Sequence, residues 1–170
     1  MRNYILGEME PVQSKLGSEP VLRMHVLALI ASRFIFDLSS MDDFFARTLY
    51  AYQYKDLDSL KHMLRGIVKE LYTLEFSDGE DDRFWCTKIG QRVAELYLDP
   101  LSADALIKKL KRKELSVFST LFAITDTTEF RPYLSVSRKN EAEAWENLQS
   151  RVNELPLDSP DLVFSDEQIL

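Results

Sequence analysis

The chain has 170 residues, of which 45% are hydrophobic and 29% charged, with six prolines and five glycines. This composition excludes a fibrous or low-complexity protein and predicts one globular domain or two small ones. The formal net charge of −7 argues against a protein whose main activity is nonspecific DNA binding, because neutralising phosphates requires a basic surface. A single cysteine, the absence of a signal-peptide pattern and the absence of a run of about 18 apolar residues favour a reducing, cytoplasmic setting without a membrane span.

In chain order, residues 1–18 predict an irregular lead-in, because Gly7, Pro11 and Gly17 interrupt it. Three helices are predicted next, each opened by a capping side chain: 19–34 from Ser18 or Glu19, 41–50 from Ser39 or Ser40, and 57–74 from Asp56 or Asp58. The first of these is apolar almost all round, which predicts a central, buried helix. In the second, we expect Phe44, Phe45 and Leu49 to face the core.

A short β-hairpin is predicted over residues 75–86, with Asp78 and Gly79 in its turn. The next helix is predicted to begin at Thr87 and to end at residue 98. Its predicted apolar face consists of Ile89, Val93, Leu96 and Tyr97. Three helices followed by a hairpin is the element order of a winged helix, in which the hairpin is the wing.

Asp99-Pro100 ends this helix, because proline lacks an N–H and disfavours helical backbone at the preceding residue. Further helices are predicted over 103–113, 115–124 and 141–155, with Leu106 and Leu110 facing inward, and an acidic tail follows. We therefore expect a mainly α protein with two domains. These are a lead-in and winged helix at residues 1–98, and the N-terminal part of a helical domain at residues 99–170.

Two groups of basic residues are candidates for DNA contact. Lys61, Arg65 and Lys69 recur at steps of four and form one stripe on the third predicted helix. The second group ends the first helix of the second domain: Lys108, Lys109, Lys111, Arg112 and Lys113. Either group is alternatively a solvated helix surface. Near the first group, the acidic hairpin tip would repel phosphates.

The sequence contains neither a P-loop nor a dinucleotide-binding fingerprint, so we expect this chain itself neither to bind nor to hydrolyse a nucleotide. His25 and His62 lie on different predicted helices without neighbouring ligands, and Cys86 lies beside a tryptophan. We interpret all three as structural. We predict no catalytic residue, metal site or cofactor in this chain. Five aromatic residues are a candidate surface for another domain, although core packing accounts for at least half of them: Phe44, Phe45, Tyr50, Tyr52 and Tyr54.

Several stretches resemble archaeal DNA repair helicases of superfamily two, the ski-two-like kind. The matching residues are Leu22, Arg23, His25, Leu27, Ile30 and Ala31; Thr48, Tyr50, Tyr52 and Gln53; Thr87, Gly90, Ala94, Leu96, Tyr97, Asp99, Pro100, Ser102 and Ala103; and Arg131 with Pro132. Residues 7–16 resemble the link that leaves the second RecA-like domain. Together these stretches cover nearly the whole chain.

The resemblance implies an accessory module of an ATP-dependent helicase that moves 3′ to 5′ on single-stranded DNA and acts on stalled or branched forks. In that family two RecA-like motor domains hold ATP and Mg, a winged helix packs against them, and a helical ratchet domain guides the strand. The motor domains are missing here, and no family DNA-gripping residue maps onto this chain. We expect a monomer that partners the motor domains and binds single-stranded or forked DNA weakly. Alternatives are a dimeric winged-helix transcription regulator that reads DNA through Lys61, Arg65 and Lys69, and a protein-interaction module.

Overall fold

The computed structural model describes residues 11–111, 115–130 and 137–154. In these ranges the chain is mainly α-helical and contains one two-stranded antiparallel sheet, as the predicted mainly α class requires. The chain divides into two units, Met1–Pro100 and Leu101–Leu170. The identification of these units as a winged-helix domain and a partial ratchet domain stays a prediction.

The first unit contains, in chain order, α1 (Glu19–Ala31), α2 (Leu38–Ala46), α3 (Leu49–Tyr54), α4 (Leu57–Thr73), β1 (Ser77–Glu80), β2 (Arg83–Cys86) and α5 (Lys88–Glu95). The next helix, α6 (Pro100–Leu110), begins at the boundary between the units. The second unit continues with α7 (Val117–Thr125), a 3₁₀ turn (Thr128–Phe130), α8 (Glu141–Ser150) and a 3₁₀ turn (Val152–Glu154). None of the helices in the described ranges has the length and apolarity that crossing a bilayer requires.

Helix α1 is the centre of the first unit and packs against α4, α5 and β2. Leu22, Val26 and Ile30 follow one another at steps of four on α1 and are buried. From α4, Leu64 and Leu71 join them in the core. The prediction of a central, buried first helix is confirmed, although the helix ends at Ala31, three residues earlier than expected.

The start of α2 differs from the prediction, because Asp37 caps it instead of Ser39 or Ser40. The Asp37 carboxylate accepts the backbone N–H of Ser40 at 2.7 Å, and the Ser40 hydroxyl accepts the backbone N–H of Asp37 at 3.1 Å. This reciprocal capping box satisfies two backbone donors that would otherwise have no intrahelical partner. Ser40 thus has a capping role, but as the third residue of the helix.

The single helix predicted over residues 41–50 is wrong, because the chain breaks it after Ala46. Arg47 ends α2, and the Thr48 side chain caps α3 by accepting the backbone N–H of Ala51 at 3.3 Å. The break turns Phe44 and Leu49 to the exposed side, and Phe45 alone of the three predicted core residues is buried.

The predicted hairpin forms, but its predicted turn is wrong. Glu80 pairs with Arg83, so residues 81–82 form the two-residue turn, and Asp78 and Gly79 lie in β1. A Cβ atom at Gly79 would lie only 2.7 Å from the carbonyl oxygen of Arg83. The neighbouring strand therefore leaves no room for a side chain at Gly79, and this explains the glycine better than a turn does.

Thr87 caps α5 as predicted, with its hydroxyl accepting the backbone N–H of Gly90 at 3.0 Å, but the helix ends at Glu95 and not at residue 98. Its predicted apolar face is wrong, because three of the four members are exposed: Ile89, Leu96 and Tyr97. The buried side of α5 consists of small residues together with the remaining member: Gly90, Val93 and Ala94. Close approach of the backbone, not bulk, therefore determines which side of α5 is buried.

In the second unit, α6 begins at Pro100 and not at residue 103, and Leu110 is exposed although it was expected to face inward. Helix α7 is capped by Ser116, whose hydroxyl accepts the backbone N–H of Ser119 at 3.1 Å. Helix α8 ends at Ser150 and a 3₁₀ turn follows at Val152–Glu154, so the helix predicted over 141–155 is shorter than expected. Residue 155 and the Arg131-Pro132 motif lie outside the described residues.

Candidate nucleic-acid interface

The basic stripe lies on α4, whose register follows from its cap: Asp56 accepts the backbone N–H of Ser59 at 3.1 Å. Lys61, Arg65 and Lys69 lie on the partly exposed side of this helix, opposite the buried leucines. The structure therefore brings the three predicted residues together on one surface. Within the described residues, Lys69 is the one member of the stripe that makes no ion pair.

Asp42 of α2 faces the other two members of the stripe. Its Oδ2 atom lies 3.4 Å from Nζ of Lys61 and 3.3 Å from Nη2 of Arg65. The Asp42 side chain is 20% exposed, and in the part of the chain that the structure describes its Oδ1 atom is buried without a hydrogen-bond partner. Sequence reasoning missed this contact, because it joins two helices that are separated by another helix in the chain.

A groove of about 390 Å³ runs between α4 and the hairpin. Lys69 and Tyr72 line it from α4, and Asp78, Asp81 and Asp82 line it from the hairpin. Acidic hairpin side chains thus stand across the groove from the basic stripe, where they oppose the approach of a phosphate from the hairpin side.

The second basic group is partly paired within its own unit. Lys108 forms an ion pair with Asp104 at 2.7 Å, and Lys109 pairs with Asp126. Lys111 is exposed and makes no ion pair with any described residue. Arg112 and Lys113 lie outside the described residues.

The five aromatic residues that were a candidate surface for another domain divide between the core and the surface. Phe45 is buried, and the rings of Tyr50 and Tyr54 stack with centroids 4.6 Å apart. Tyr52 is 78% exposed, and Phe44 and Tyr54 are also exposed. Helix α3 therefore presents an aromatic surface to solvent.

A second exposed aromatic surface was not predicted. Phe36 and Trp85 line a depression of about 550 Å³ together with Arg33, Arg83 and Cys86. Burial raises the pKa of the Cys86 thiol to about 11, so the thiol is neutral near pH 7 and is not an activated nucleophile. The apolar run Phe34-Ile35-Phe36 is the sequence signal for this surface. The structure exposes Phe34 and Phe36 and buries Ile35.

Arg23 is a buried cation on α1, with 4% of its surface exposed. Its Nε and Nη2 atoms donate to the two carboxylate oxygens of Asp99 at 2.8 and 3.3 Å, and its Nη1 atom donates to Glu70 at 2.9 Å. Burial alone lowers the pKa of Arg23, but the hydrogen bonds and charges of Asp99 and Glu70 outweigh it and raise that pKa. This cluster ties α1 and α4 to the residue that precedes Pro100.

No protein-family model matches the chain. Several similar curated proteins are called ATP-dependent DNA helicase Hel308. Those of Pyrobaculum calidifontis, Methanocaldococcus jannaschii and Pyrococcus horikoshii are 37%, 34% and 36% identical over 114, 142 and 135 residues, which are 65%, 83% and 78% of this chain. The matched segments are 16%, 12% and 19% of those proteins, so the chain spans less than a fifth of the length of these relatives.

Proposed function

Because the chain belongs to the archaeal Hel308 family of superfamily-two DNA helicases, as a homologue of one segment of it, we propose that it is an accessory, non-catalytic module of such an enzyme. It packs against the RecA-like motor domains, which bind ATP and Mg, and it guides single-stranded DNA while the motor moves 3′ to 5′ on stalled or branched forks. The first unit is the winged helix in this proposal, and the second unit is the start of the ratchet domain. The observation that carries the proposal is the sequence identity of 34–37% to segments of DNA helicases, which extends over 65–83% of the chain.

The exposed aromatic surface of α3 supports the packing role. Tyr52, Tyr54 and Leu49 are exposed there, and aromatic side chains are enriched at protein interfaces. The acidic side chains of the hairpin, which oppose phosphate, are compatible with a hairpin that contacts protein. The motor domains are the partner that the helicase proposal supplies for this surface.

The distribution of charge supports a weak DNA contact. Lys69 and Lys111 are cations without an ion pair among the described residues, whereas Lys61, Arg65, Lys108 and Lys109 each have an acidic partner. Few unneutralised cations in these two groups mean few phosphate contacts from them, and therefore weak binding that salt readily abolishes. Such a contact suits a module that guides a strand while the motor holds it.

The test is fluorescence anisotropy of labelled forked DNA at about 50 mM and about 200 mM salt, with light scattering for the oligomeric state. We expect a monomer that binds in the micromolar range or more weakly, loses binding at the higher salt and does not discriminate between sequences. A dimer with nanomolar affinity for one duplex sequence would overturn the proposal in favour of a transcription regulator. Complete absence of binding at the lower salt would remove the strand-guiding role and leave a protein-interaction module.

A further inference from the structure

We propose that Asp42 is an internal competitor of DNA, whose carboxylate occupies Lys61 and Arg65 and thereby limits the affinity of α4 for a phosphate. The inference rests on the proposed phosphate contact of the α4 stripe. The inference adds that a carboxylate of the same chain, that of Asp42, neutralises part of the positive charge of the stripe. Asp42 is then an autoinhibitory contact of the DNA-facing surface.

The geometry of Asp42 is that of a bound anion. One carboxylate oxygen lies 3.4 Å from Lys61 Nζ and 3.3 Å from Arg65 Nη2, so a single anionic oxygen bridges two cations one helical turn apart. A phosphate oxygen makes the same kind of charge-assisted contact. Asp42 therefore occupies the position between Lys61 and Arg65 that a phosphate oxygen would take.

The two cations are reachable from solvent, whereas Asp42 is more enclosed. The side chains of Lys61 and Arg65 are 37% and 49% exposed, against 20% for Asp42. The Oδ1 atom of Asp42 has no hydrogen-bond partner among the described residues, so within them this carboxylate contacts the two cations through Oδ2. Ion pairs of such exposed cations are weak, and a phosphate is able to compete for them.

The charge count predicts how binding depends on Asp42. With the carboxylate in place, the group of Asp42, Lys61 and Arg65 carries a net charge of about +1, and without it about +2, before the charge of Lys69 is added. Each additional phosphate neutralised on a single strand steepens the dependence of log K on log salt by about 0.7. Removal of the Asp42 carboxylate therefore both raises affinity and steepens the salt dependence.

The experiment compares Asp42→Asn with Asp43→Asn in the full chain, using anisotropy of an unstructured single strand over a series of salt concentrations. The two variants change the net charge equally. Asp43, however, is exposed and forms no ion pair with a described residue. We expect Asp42→Asn to bind about five- to tenfold more tightly at about 50 mM salt, with a slope steeper by about 0.7. We expect Asp43→Asn to change affinity less than about twofold, because it alters only the screened, general field.

Addition of Lys61→Ala and Arg65→Ala to Asp42→Asn is expected to abolish the gain, because the freed cations are its cause. Asp42→Ser serves as a second removal of the carboxylate, and circular dichroism checks that every variant is folded. Equal effects of Asp42→Asn and Asp43→Asn, or no gain with either Asp42 variant, would overturn the inference. These results would leave the packing of the module on motor domains untouched, since that role is measured by unwinding in a complete helicase.

Discussion

Substitution of Gly90 by alanine is expected to destabilise the first unit strongly. A Cβ atom at Gly90 would lie 1.9 Å from the carbonyl oxygen of Phe76 and 2.7 Å from its carbonyl carbon. These are backbone atoms of a buried residue, and no rotation of a side chain relieves the clash. The same carbonyl oxygen accepts the backbone N–H of Thr87 at 3.1 Å and its hydroxyl at 3.2 Å, so moving α5 away from Phe76 also breaks its anchoring hydrogen bonds.

The magnitude follows from these contacts. Overpacking a well-packed core costs about 1–3 kcal/mol, and each lost hydrogen bond adds about 1 kcal/mol. The better helix propensity of alanine returns at most about 1 kcal/mol. The net loss is about 3 kcal/mol in the free energy of unfolding, which lowers Tm by about 12–24 °C for a unit of this size.

Urea denaturation followed by tryptophan fluorescence measures this loss. Trp85 lies in the first unit and Trp145 in the second, so a Trp145→Phe background reports the first unit alone. The matched control is Gly66→Ala on α4, where an added Cβ meets nothing within 4 Å and a gain of about 0.5–1 kcal/mol is expected. A Gly90→Ala variant within about 1 kcal/mol of the unmodified chain would refute the reasoning on close approach.

Three further outcomes are expected. Arg23→Met removes the cation that pairs with Asp99 and Glu70 and should lower the free energy of unfolding by about 3 kcal/mol in urea denaturation; an unchanged midpoint would show that the cluster is dispensable. Cys86, with its pKa raised from 9.0 to about 11, should react with iodoacetamide at pH 8 about tenfold more slowly in the folded than in the unfolded chain, because the smaller thiolate fraction outweighs the higher nucleophilicity of that thiolate; equal rates would contradict its burial. The pKa of Asp37 is lowered from 3.8 chiefly by the backbone N–H of Ser40. The stabilisation that the Asp37 carboxylate gives is therefore present above pH 3.8 and is lost as the pH falls through the folded pKa, so Asp37→Asn should flatten the decline of stability in acid. A decline parallel to that of the unmodified chain would refute this role.

Local signals in the sequence predicted most of the elements. Thr87 and Asp56 mark helix starts through capping, and the structure has a helix beginning directly after each of them. The steps of four between Lys61, Arg65 and Lys69 also identified one surface of the third predicted helix, because the three residues lie together on its partly exposed side. These signals succeed because each acts over one helical turn.

The predictions are wrong where contacts between residues distant in the sequence determine the local structure. Asp78-Gly79 looks like a hairpin turn, but the close approach of the opposite strand places Gly79 in β1. On α5, the carbonyl group of Phe76 requires the smallest residue, and so Gly90 faces inward while Ile89 is exposed. The state of the basic stripe was unpredictable for the same reason, since Asp42 reaches it from another helix.

The central claim is that this chain works as a module of a helicase, and a replacement experiment tests it most directly. The matched segment of the Methanocaldococcus jannaschii Hel308 is replaced by this chain, and ATP-dependent unwinding of a labelled fork is measured beside a variant in which an unrelated winged-helix domain takes the same place. The account predicts that the replacement restores unwinding well above the unrelated domain, with ATP hydrolysis stimulated by DNA. Unwinding no better than with the unrelated domain, in a protein that is folded and hydrolyses ATP, would contradict the account.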